Sequence, residues 1–293
     1  MSWSVPVADL ASVNTSAARW NPSDTVAAAS LSERHMMARD TCAAARRQTL
    51  RNGGWCLRKM ARDELFGKER SVQLRSAPGE PASSYRLPGS HVEADAIIVA
   101  ELAALIGLPT ASNRPLMPTS SEPRSVIDFG AGVGQYYYGL REIARPKSAS
   151  LLRWRGYDGA GDVEEYTNGR VSFVDLTLPS LALERADWVV SLEVGEHIPR
   201  EHEYTFLRNL HAHNCMGVVL SWACYGGHQH VNRRPNDWVI DAFQRLGYRY
   251  DAATSQRMRQ PGLRDRLSSN YSHRVYGWFA RSVMVFERWT PVC

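Results

Sequence analysis

Two short stretches of the chain concentrate side chains that can move protons or hold polar substrates. The first contains Glu193, Glu196 and His197, and the second contains His228 and His230. An imidazole accepts a proton near neutral pH, and a neighbouring carboxylate can orient it or hold a cationic group. Each stretch follows a short apolar run of strand length, so both are expected at the carboxyl edge of one sheet. We predict that Glu196, His197 and His230 are catalytic.

Simpler explanations remain open for the same stretches. Glu196 and His197 can cap the helix that is predicted after Pro199, because a helix start attracts polar side chains. The second stretch can equally be a hydrogen-bonded polar loop.

The second stretch also contains residue types that suit substrate binding or metal binding. In the functional interpretation, His228, Asn232 and Arg233 contact a polar substrate. Cys224 together with His228 and His230 has only a loose metal-ligand spacing. Because no second ligand pair accompanies it, we predict no metal site.

A glycine-rich turn precedes both stretches and lies between an apolar run and a predicted helix. Its sequence is VIDFGAGVG, with Asp128 two residues before Gly130 and further glycines at Gly132 and Gly134. Glycine lets the backbone pass close to a ligand because no Cβ stands in the way. The spacing is GxGxG, and Gln135 stands where the dinucleotide fingerprint GxGxxG has its last glycine. The turn alone fits several nucleotide-type cofactors.

Acidic residues end the next two predicted strands. Asp158, followed by Gly159, ends the second strand, where a carboxylate can accept two ribose hydroxyls. Asp175, followed by Leu176, ends the third strand, where a carboxylate can accept an adenine amino group. Strand-end acids can also serve solubility alone, but their order after the glycine turn favours a cofactor site.

Taken together, these motifs resemble those of class I S-adenosylmethionine (SAM)-dependent methyltransferases. The resemblance spans about residues 124–289 and is carried by VIDFGAGVGQY, GYDGA and SLEVGEHIP. It implies methyl transfer with SAM as the cofactor. The cofactor-binding residues that it implies are Asp128, Gly130, Ala131, Gly132, Gly134, Asp158, Gly159, Asp175, Leu176, Leu192 and Glu193.

The resemblance also implies a role for each part of this set. The turn at Gly130–Gly132 would approach the methionine part of SAM, and Asp128 would organise the turn and the ammonium group. Asp158 would hold the ribose, and Asp175 would contact adenine. Glu193 would lie beside the methyl-transfer centre.

From about Arg124 onward, short apolar strands alternate with helices, which predicts a parallel sheet covered on both faces. We predict an α/β fold, a Rossmann-like seven-stranded methyltransferase sheet with an N-terminal, mostly helical extension. The last two strands lack a predicted crossover helix and favour a closing hairpin at one edge. The predicted strands are 125–129, 151–157, 171–174, 187–192, 217–222, 248–253 and 282–289, and helices are predicted at 94–106, 135–143, 202–213 and 236–246.

The chain divides into three predicted parts. Residues 1–32 lack apolar periodicity and are predicted to be a disordered tail. Residues 33–123 form the extension and a proline-rich linker, and residues 124–293 form the methyltransferase domain. In similar enzymes such extensions cover the site, so Gly53–Cys56 is a candidate lid. Tyr85 and His91 are candidate substrate contacts, with simple packing as the alternative.

The charge and the cysteine content indicate which partners and which cellular compartment to expect. The net charge is +5, and arginines are concentrated between Arg34 and Arg86. This suits an anionic substrate or a nucleic acid, but no basic–aromatic repeat accompanies it, so nucleic acid is not favoured. Five scattered cysteines without a CxxC pair argue against a disulfide scaffold and for a reducing compartment. We expect a cytoplasmic protein, with an organellar transit peptide in the Ser- and Ala-rich start as the alternative.

The acceptor is predicted to be a small molecule with an oxygen, nitrogen or sulfur nucleophile. Base- and protein-amine methyltransferases usually carry an Asn/Asp-Pro-Pro-aromatic motif after the fourth strand, whereas this chain has Glu193–Glu196 there. An RNA or protein methyltransferase, or a SAM-binding subunit without catalysis, remains the alternative. No apolar run reaches the roughly 18 residues of a membrane span. The sequence does not decide the oligomeric state.

Overall fold

Four consecutive buried residues, Val126–Phe129, form an inner strand of the main sheet, and three of them are apolar while the fourth is Asp128. The computed structural model describes residues 23–44, 50–57, 70–74, 83–87, 93–110, 124–179, 181–260 and 275–293. The strands are β1 (Arg70–Leu74), β2 (Ser83–Leu87), β3 (Val126–Phe129), β4 (Trp154–Asp158), β5 (Val171–Phe173), β6 (Ala186–Ser191), β7 (Asn214–Ser221), β8 (Tyr248–Tyr250) and β9 (Val283–Arg288).

Strands β3 to β9 form one seven-stranded sheet in the order β5-β4-β3-β6-β7-β9-β8. The first five of these strands pair in parallel, whereas β9 pairs antiparallel with both β7 and β8. The predicted seven-stranded α/β sheet is confirmed. The last two strands do pair antiparallel at one edge of the sheet, as predicted. They do not form a simple hairpin, because the described residues between them include helices at Ala252–Arg259 and Phe279–Ser282.

Helices cover both faces of the sheet. They are α1 (Ser23–Ala43), α2 (Ala96–Leu105), α3 (Gln135–Ile143), α4 (Pro146–Ala149), α5 (Val163–Thr167), α6 (Glu203–Ala212), α7 (Asn236–Arg245), α8 (Ala252–Arg259) and α9 (Phe279–Ser282), with a 3-10 turn at Arg200–His202. Helix α3 begins and ends where the sequence predicts. Within the described ranges, none of these helices combines the length and the apolar character that a bilayer crossing needs.

Alternation along the strands divides the core into two layers. In β6, Val189 packs with helices α6 and α7 on one face, while Trp188 and Val190 pack with α2, α3 and α9 on the other. Side chains of a strand point alternately to opposite faces, so a strand that is apolar at every position must be covered on both sides. The five parallel strands therefore present their carboxyl ends, and not their faces, to the surroundings.

The N-terminal extension differs from the prediction in two respects. Helix α1 begins at Ser23, so the prediction of a disordered tail is wrong for residues 23–32. The extension also contains the antiparallel pair β1–β2, in which Tyr85 lies opposite Val72, so it is not mostly helical throughout. Helix α2 is capped by the Asp95 carboxylate, which accepts hydrogen bonds from the Ile97 and Ile98 amides.

Two disulfides correct the cysteine prediction. Cys42 in α1 is bonded to Cys56, and Cys215 in β7 is bonded to Cys293, with Cα–Cα distances of 5.2 and 5.3 Å. The fold brings these residues together across sequence separations of 14 and 78, and no local spacing could reveal such pairs. The argument from cysteine spacing for a reducing compartment therefore fails. Cys224 is exposed and is not in a disulfide.

Candidate functional site

A cleft opens where the connections of the sheet change direction. The chain passes from β3 outward through β4 and β5 and then returns to β6 on the other side of β3. The loops after β3 and β6 therefore leave the carboxyl edge in opposite directions, which is where open α/β sheets bind ligands. A cavity of about 500 Å³ lies at this edge, a volume suited to a nucleotide-sized molecule.

The glycine turn after β3 forms one wall of this cavity. Gly130 and Gly132 line it with φ angles of +81° and +55°, a backbone conformation that favours glycine. The Asp158 carboxylate holds the turn, because its Oδ2 accepts a hydrogen bond from the Gly132 amide at 2.9 Å. Ala131 is buried beneath the turn, and Gly134 precedes helix α3 with a left-handed backbone. Neither of these two residues is among those that line the cavity.

Asp158 itself lines the cavity at the end of β4. Its Oδ1 accepts a second hydrogen bond, from the Ala160 amide at 2.8 Å. Burial raises the pKa of Asp158 to about 6, and the two backbone donors oppose this shift. Gly159, next in the chain, lines the cavity as well. The predicted ribose acid and its neighbour are thus brought together with the glycine turn.

Asp128 lies below the turn and does not reach the cavity. The residue is 2% exposed, and its Oδ2 has no hydrogen-bond partner. Burial, together with the charge of Asp158, raises the pKa of Asp128 to about 8. Gln135 at the start of α3 does line the cavity, and its buried Oε1 also lacks a hydrogen-bond partner.

The predicted adenine contacts are divided between two environments. Leu176 lines the cavity together with Val174, which gives an apolar wall beyond Asp158. Asp175 is buried beside this wall, where it accepts a hydrogen bond from Thr177 and forms an ion pair with Arg34 at 2.8 Å. Helix α1 thereby contacts the Asp158 side of the cleft through Arg34.

Leu192 and Glu193 follow β6 and line the opposite wall. Glu193 has a φ angle of +57°, a left-handed backbone that is uncommon for a residue with a side chain. Its Oε1 accepts hydrogen bonds from Ser221 at 2.8 Å and from Ser282 at 3.2 Å. Burial raises the pKa of Glu193 above its ordinary value, and the two hydroxyl donors oppose this effect.

The three predicted catalytic residues lie together beyond this wall, where His197 and His230 line the cavity and Glu196 is fully buried outside its lining. One donor atom each from Glu196, His197 and His230 can be chosen so that all lie within 4.8 Å of one another. The two imidazole rings meet edge to face with centroids 5.1 Å apart. Asn232 links the two loops, since its backbone N–H donates a hydrogen bond to the Glu196 backbone carbonyl at 2.9 Å. Burial and the charge of Glu193 hold the pKa of Glu196 well above its ordinary value.

A segment of the extension, residues 50–57, lies across the cleft as a strap. Its Asn52 side chain donates a hydrogen bond to the Gly159 carbonyl at 3.2 Å. A Cβ on Gly53 would stand 2.3 Å from the His197 carbonyl oxygen, and one on Gly54 would stand 2.1 Å from that of Gly159. The glycine pair therefore permits backbone contact with both walls of the cavity. The segment predicted as a lid does border the site.

Aromatic residues complete the cavity, and the sequence analysis missed most of them. Trp55 meets the His197 ring at 5.5 Å and the His228 ring at 5.3 Å. The remaining aromatic lining is contributed by Tyr136, Tyr225, Tyr276, Trp278 and Phe279. The dense run YGWF at 276–279 is the signal that could have identified part of this wall.

Only one of the predicted substrate-binding residues is seen to line the cavity. His228 lines the cavity, whereas Asn232 is buried behind it and Arg233 is exposed outside its lining. Only the backbone of Tyr85 is described, in β2, and its side chain lies outside the described residues. His91 lies outside the described residues as well.

Comparison with known proteins gives a likeness to solved structures. No family model matches the chain, and no curated protein matches it in sequence. The chain is similar to magnesium protoporphyrin IX methyltransferase from Synechocystis PCC 6803 with bound SAM, at 16% identity and a TM-score of 0.41, over 65% of this chain and 76% of that one. A TehB-like SAM-dependent methyltransferase from Corynebacterium glutamicum is 12% identical, with a TM-score of 0.42, over 66% of this chain and 86% of that one.

The methyltransferase domain of bacterial CtHen1-C is similar at 15% identity and a TM-score of 0.41, over 67% of this chain and 98% of that one. These values are too low to carry a function from one protein to another. The observed sheet and cleft define an α/β protein of the Rossmann-like class with a nucleotide-sized cavity at its switch point. The function must therefore be inferred from the residues of this cavity.

Proposed function

We propose that the chain is a class I SAM-dependent methyltransferase that acts on a small-molecule acceptor. The observation that carries this proposal is the convergence of the glycine turn, Asp158 and Glu193 on one cavity. These are the residues that the sequence resemblance assigns to the cofactor, and they come from three different strand ends. A glycine turn alone would fit other nucleotide cofactors, whereas this ordered set is typical of SAM sites.

The residues of the cavity fit this cofactor in size and in polarity. Gly130 and Gly132 leave room beside the turn, and the Gln135 Oε1 offers a buried acceptor without a partner. Asp158 offers carboxylate oxygens to a pair of ribose hydroxyls, while Val174 and Leu176 provide an apolar surface for a flat base. When bound, SAM supplies an activated methyl group on a sulfonium.

The acceptor end of the cavity favours a small molecule with a flat or apolar body. Tyr225, Tyr276, Trp278 and Phe279 face it, and Trp55 in the strap closes one side. Among the described residues that line the cavity, none is a lysine or an arginine. This composition speaks against the anionic acceptor that the arginine-rich extension suggests, and aromatic walls bind flat groups by stacking and apolar contact.

The chain's own residues would orient the acceptor, exclude water and handle its proton. The strap narrows the opening, so an acceptor held between Trp55 and Phe279 would be shielded from solvent. His197 and His230 provide imidazoles at this end, and an imidazole can take a proton from an oxygen or nitrogen nucleophile. If the acceptor is a thioether, no proton is lost and these side chains only bind it.

Calorimetry with SAM, S-adenosylhomocysteine and NAD tests the cofactor assignment. We expect one molecule of SAM or S-adenosylhomocysteine to bind per chain and NAD not to bind. Incubation with isotopically labelled SAM and a cell extract, followed by mass spectrometry, should then identify a labelled small molecule. Tight NAD binding without SAM binding would contradict the cofactor, and label found only in RNA or protein would contradict the acceptor class.

A further inference from the structure

The side chains of Glu196, His197 and His230 form the one group of at least three potential metal ligands found among the described residues. Their donor atoms lie within 4.8 Å of one another. They come from two loops, after β6 and after β7, that leave adjacent strands of the sheet. One carboxylate and two imidazoles are a donor set that divalent transition metals bind readily.

The surroundings of the Glu196 carboxylate are the strongest argument that this cluster binds a cation. The residue is 0% exposed, its carboxyl group lies against that of Glu193, and neither of its oxygens is in a well-formed hydrogen bond. Burial of a polar group without a partner costs free energy, and buried carboxylates are normally paired with a cation or coordinate a metal. Both His197 and His230 stand within reach of this carboxylate and also line the cavity.

Both imidazoles are held in the way that metal-binding histidines usually are. The Nδ1 of His197 lies 3.1 Å from the Gln229 carbonyl oxygen, and the Nδ1 of His230 lies 3.0 Å from that of Tyr225. A proton on Nδ1 satisfies each carbonyl and fixes the tautomer in which Nε2 carries the lone pair. Such a backbone contact on the second ring nitrogen orients the ring towards a metal.

The backbone conformations of the loops after β6 and β7 are also constrained. Gln229, whose carbonyl holds His197, has a φ angle of +58°, and Glu193 at the start of the other loop has one of +57°. Residues with side chains adopt this conformation at a cost, and such strain concentrates at functional sites. The hydrogen bond from the Asn232 backbone N–H to the Glu196 backbone carbonyl fixes the two loops relative to each other.

We propose that Glu196, His197 and His230 bind one divalent transition-metal ion, of the kind represented by Mn²⁺, Fe²⁺, Co²⁺ or Zn²⁺. Imidazole ligands favour these ions over Mg²⁺ and Ca²⁺, which prefer oxygen ligands throughout. Three protein ligands leave coordination positions open, as catalytic metal sites do. In a role that rests on the proposed function, these positions would bind an oxygen or nitrogen atom of the acceptor. With the ion in place, His197 and His230 are its ligands and not bases, and the ion would ease loss of the acceptor's proton to solvent by lowering the pKa of the bound atom. This proposal replaces the sequence prediction that no metal is bound.

Titration of the untagged protein with Mn²⁺ alone, followed by electron paramagnetic resonance, and with Zn²⁺ alone, followed by calorimetry, tests this site. We expect one ion per chain and at least a tenfold weaker affinity in each of the variants Glu196→Gln, His197→Gln and His230→Gln. His202→Gln is the matched control, because His202 lies in the nearby 3-10 turn outside the cluster. Its affinity for the ion should equal that of the unmodified protein.

Absence of stoichiometric binding, or equal affinity in the three cluster variants and the unmodified protein, would overturn the proposal. Circular dichroism establishes whether each variant folds. If Glu196→Gln does not fold, the ion affinities of His197→Gln and His230→Gln test the site, because these two histidines are only half-buried. SAM binding is measured on the same preparations without metal. Ion binding that fails while SAM still binds refutes the metal site alone, whereas SAM binding that fails refutes the proposed function.

Discussion

Replacement of Asp158 by alanine removes the group on which the cofactor assignment most depends. In the protein, the two carboxylate oxygens accept hydrogen bonds from the Gly132 and Ala160 amides at 2.9 and 2.8 Å. The carboxylate thus supports the glycine turn and, in the proposed complex, accepts ribose hydroxyls. A hydrogen bond to a charged group contributes about 1.5–3 kcal/mol. Alanine removes two ribose contacts, but two hydrogen bonds to one carboxylate are not additive and water can enter the space that it leaves, so we expect a loss of about 2–4 kcal/mol in SAM binding.

This loss corresponds to a rise of about 30- to 1000-fold in the SAM dissociation constant, measurable by calorimetry. The pKa of Asp158 is raised to about 6, so the carboxylate becomes protonated as the pH falls through this value. A protonated carboxyl group accepts fewer hydrogen bonds. The affinity of the unmodified protein for SAM should therefore decrease below about pH 6, and Asp158→Ala should lose this dependence.

Asp187→Ala is the matched control for this experiment. The Asp187 carboxylate also accepts two hydrogen bonds, from the amide and the hydroxyl of Ser125, at 2.6 and 2.8 Å. It lies at the amino-terminal edge of the sheet, opposite the cavity. This variant should lower the melting temperature without changing SAM affinity. A folded Asp158→Ala variant that binds SAM within twofold of the unmodified protein would refute the ribose assignment.

Three further perturbations test other parts of the structure. The pKa of Asp128 is raised from 3.8 to about 8, so the Asp128 carboxyl group holds its proton more tightly in the folded state than in the unfolded state. The contribution of this residue to the free energy of unfolding therefore decreases as the pH rises from about 4 to about 8. Urea titrations should show Asp128→Asn gaining stability over the unmodified protein across this range, and a pH-independent difference would contradict the shift. Replacing Cys215 and Cys293 by serine opens a loop of 78 residues and should cost about 2–4 kcal/mol in chemical denaturation, whereas unchanged stability would argue against the bond. Trp55→Ala should raise the acceptor KM about tenfold with SAM affinity unchanged, and a change confined to SAM binding would place Trp55 on the cofactor side.

The sequence predicted the sheet and the side of the cleft that contains the glycine turn and Asp158, because both depend on local patterns. Apolar periodicity predicted α3 over 135–143, which agrees with the observed helix. The glycine turn and Asp158 follow strand ends directly, and parallel strands bring their carboxyl ends to one edge. The same reasoning predicted that Glu196, His197 and His230 would meet, since they follow adjacent strands.

Features that depend on long-range packing could not be predicted in this way. The disulfide between Cys42 and Cys56 joins α1 to the strap, and nothing in their spacing distinguishes this pair from the other cysteines. The aromatic wall at 276–279 reaches the cavity only because β9 is inserted between β7 and β8. The position of Asn232 behind the cavity follows from its backbone contact with Glu196, which a sequence pattern does not encode.

The left-handed backbones at Glu193 and Gln229 have a consequence for how this protein responds to selection. Glycine or asparagine at either position would relieve backbone strain, so a library screened only for thermal resistance should accumulate these substitutions. A screen for the proposed methyl transfer should reject them, because a more flexible backbone at these positions no longer holds the Glu193 side chain or the Gln229 carbonyl in place. In the loops that contain Glu193 and Gln229, substitutions that raise thermal stability would then lower the proposed activity.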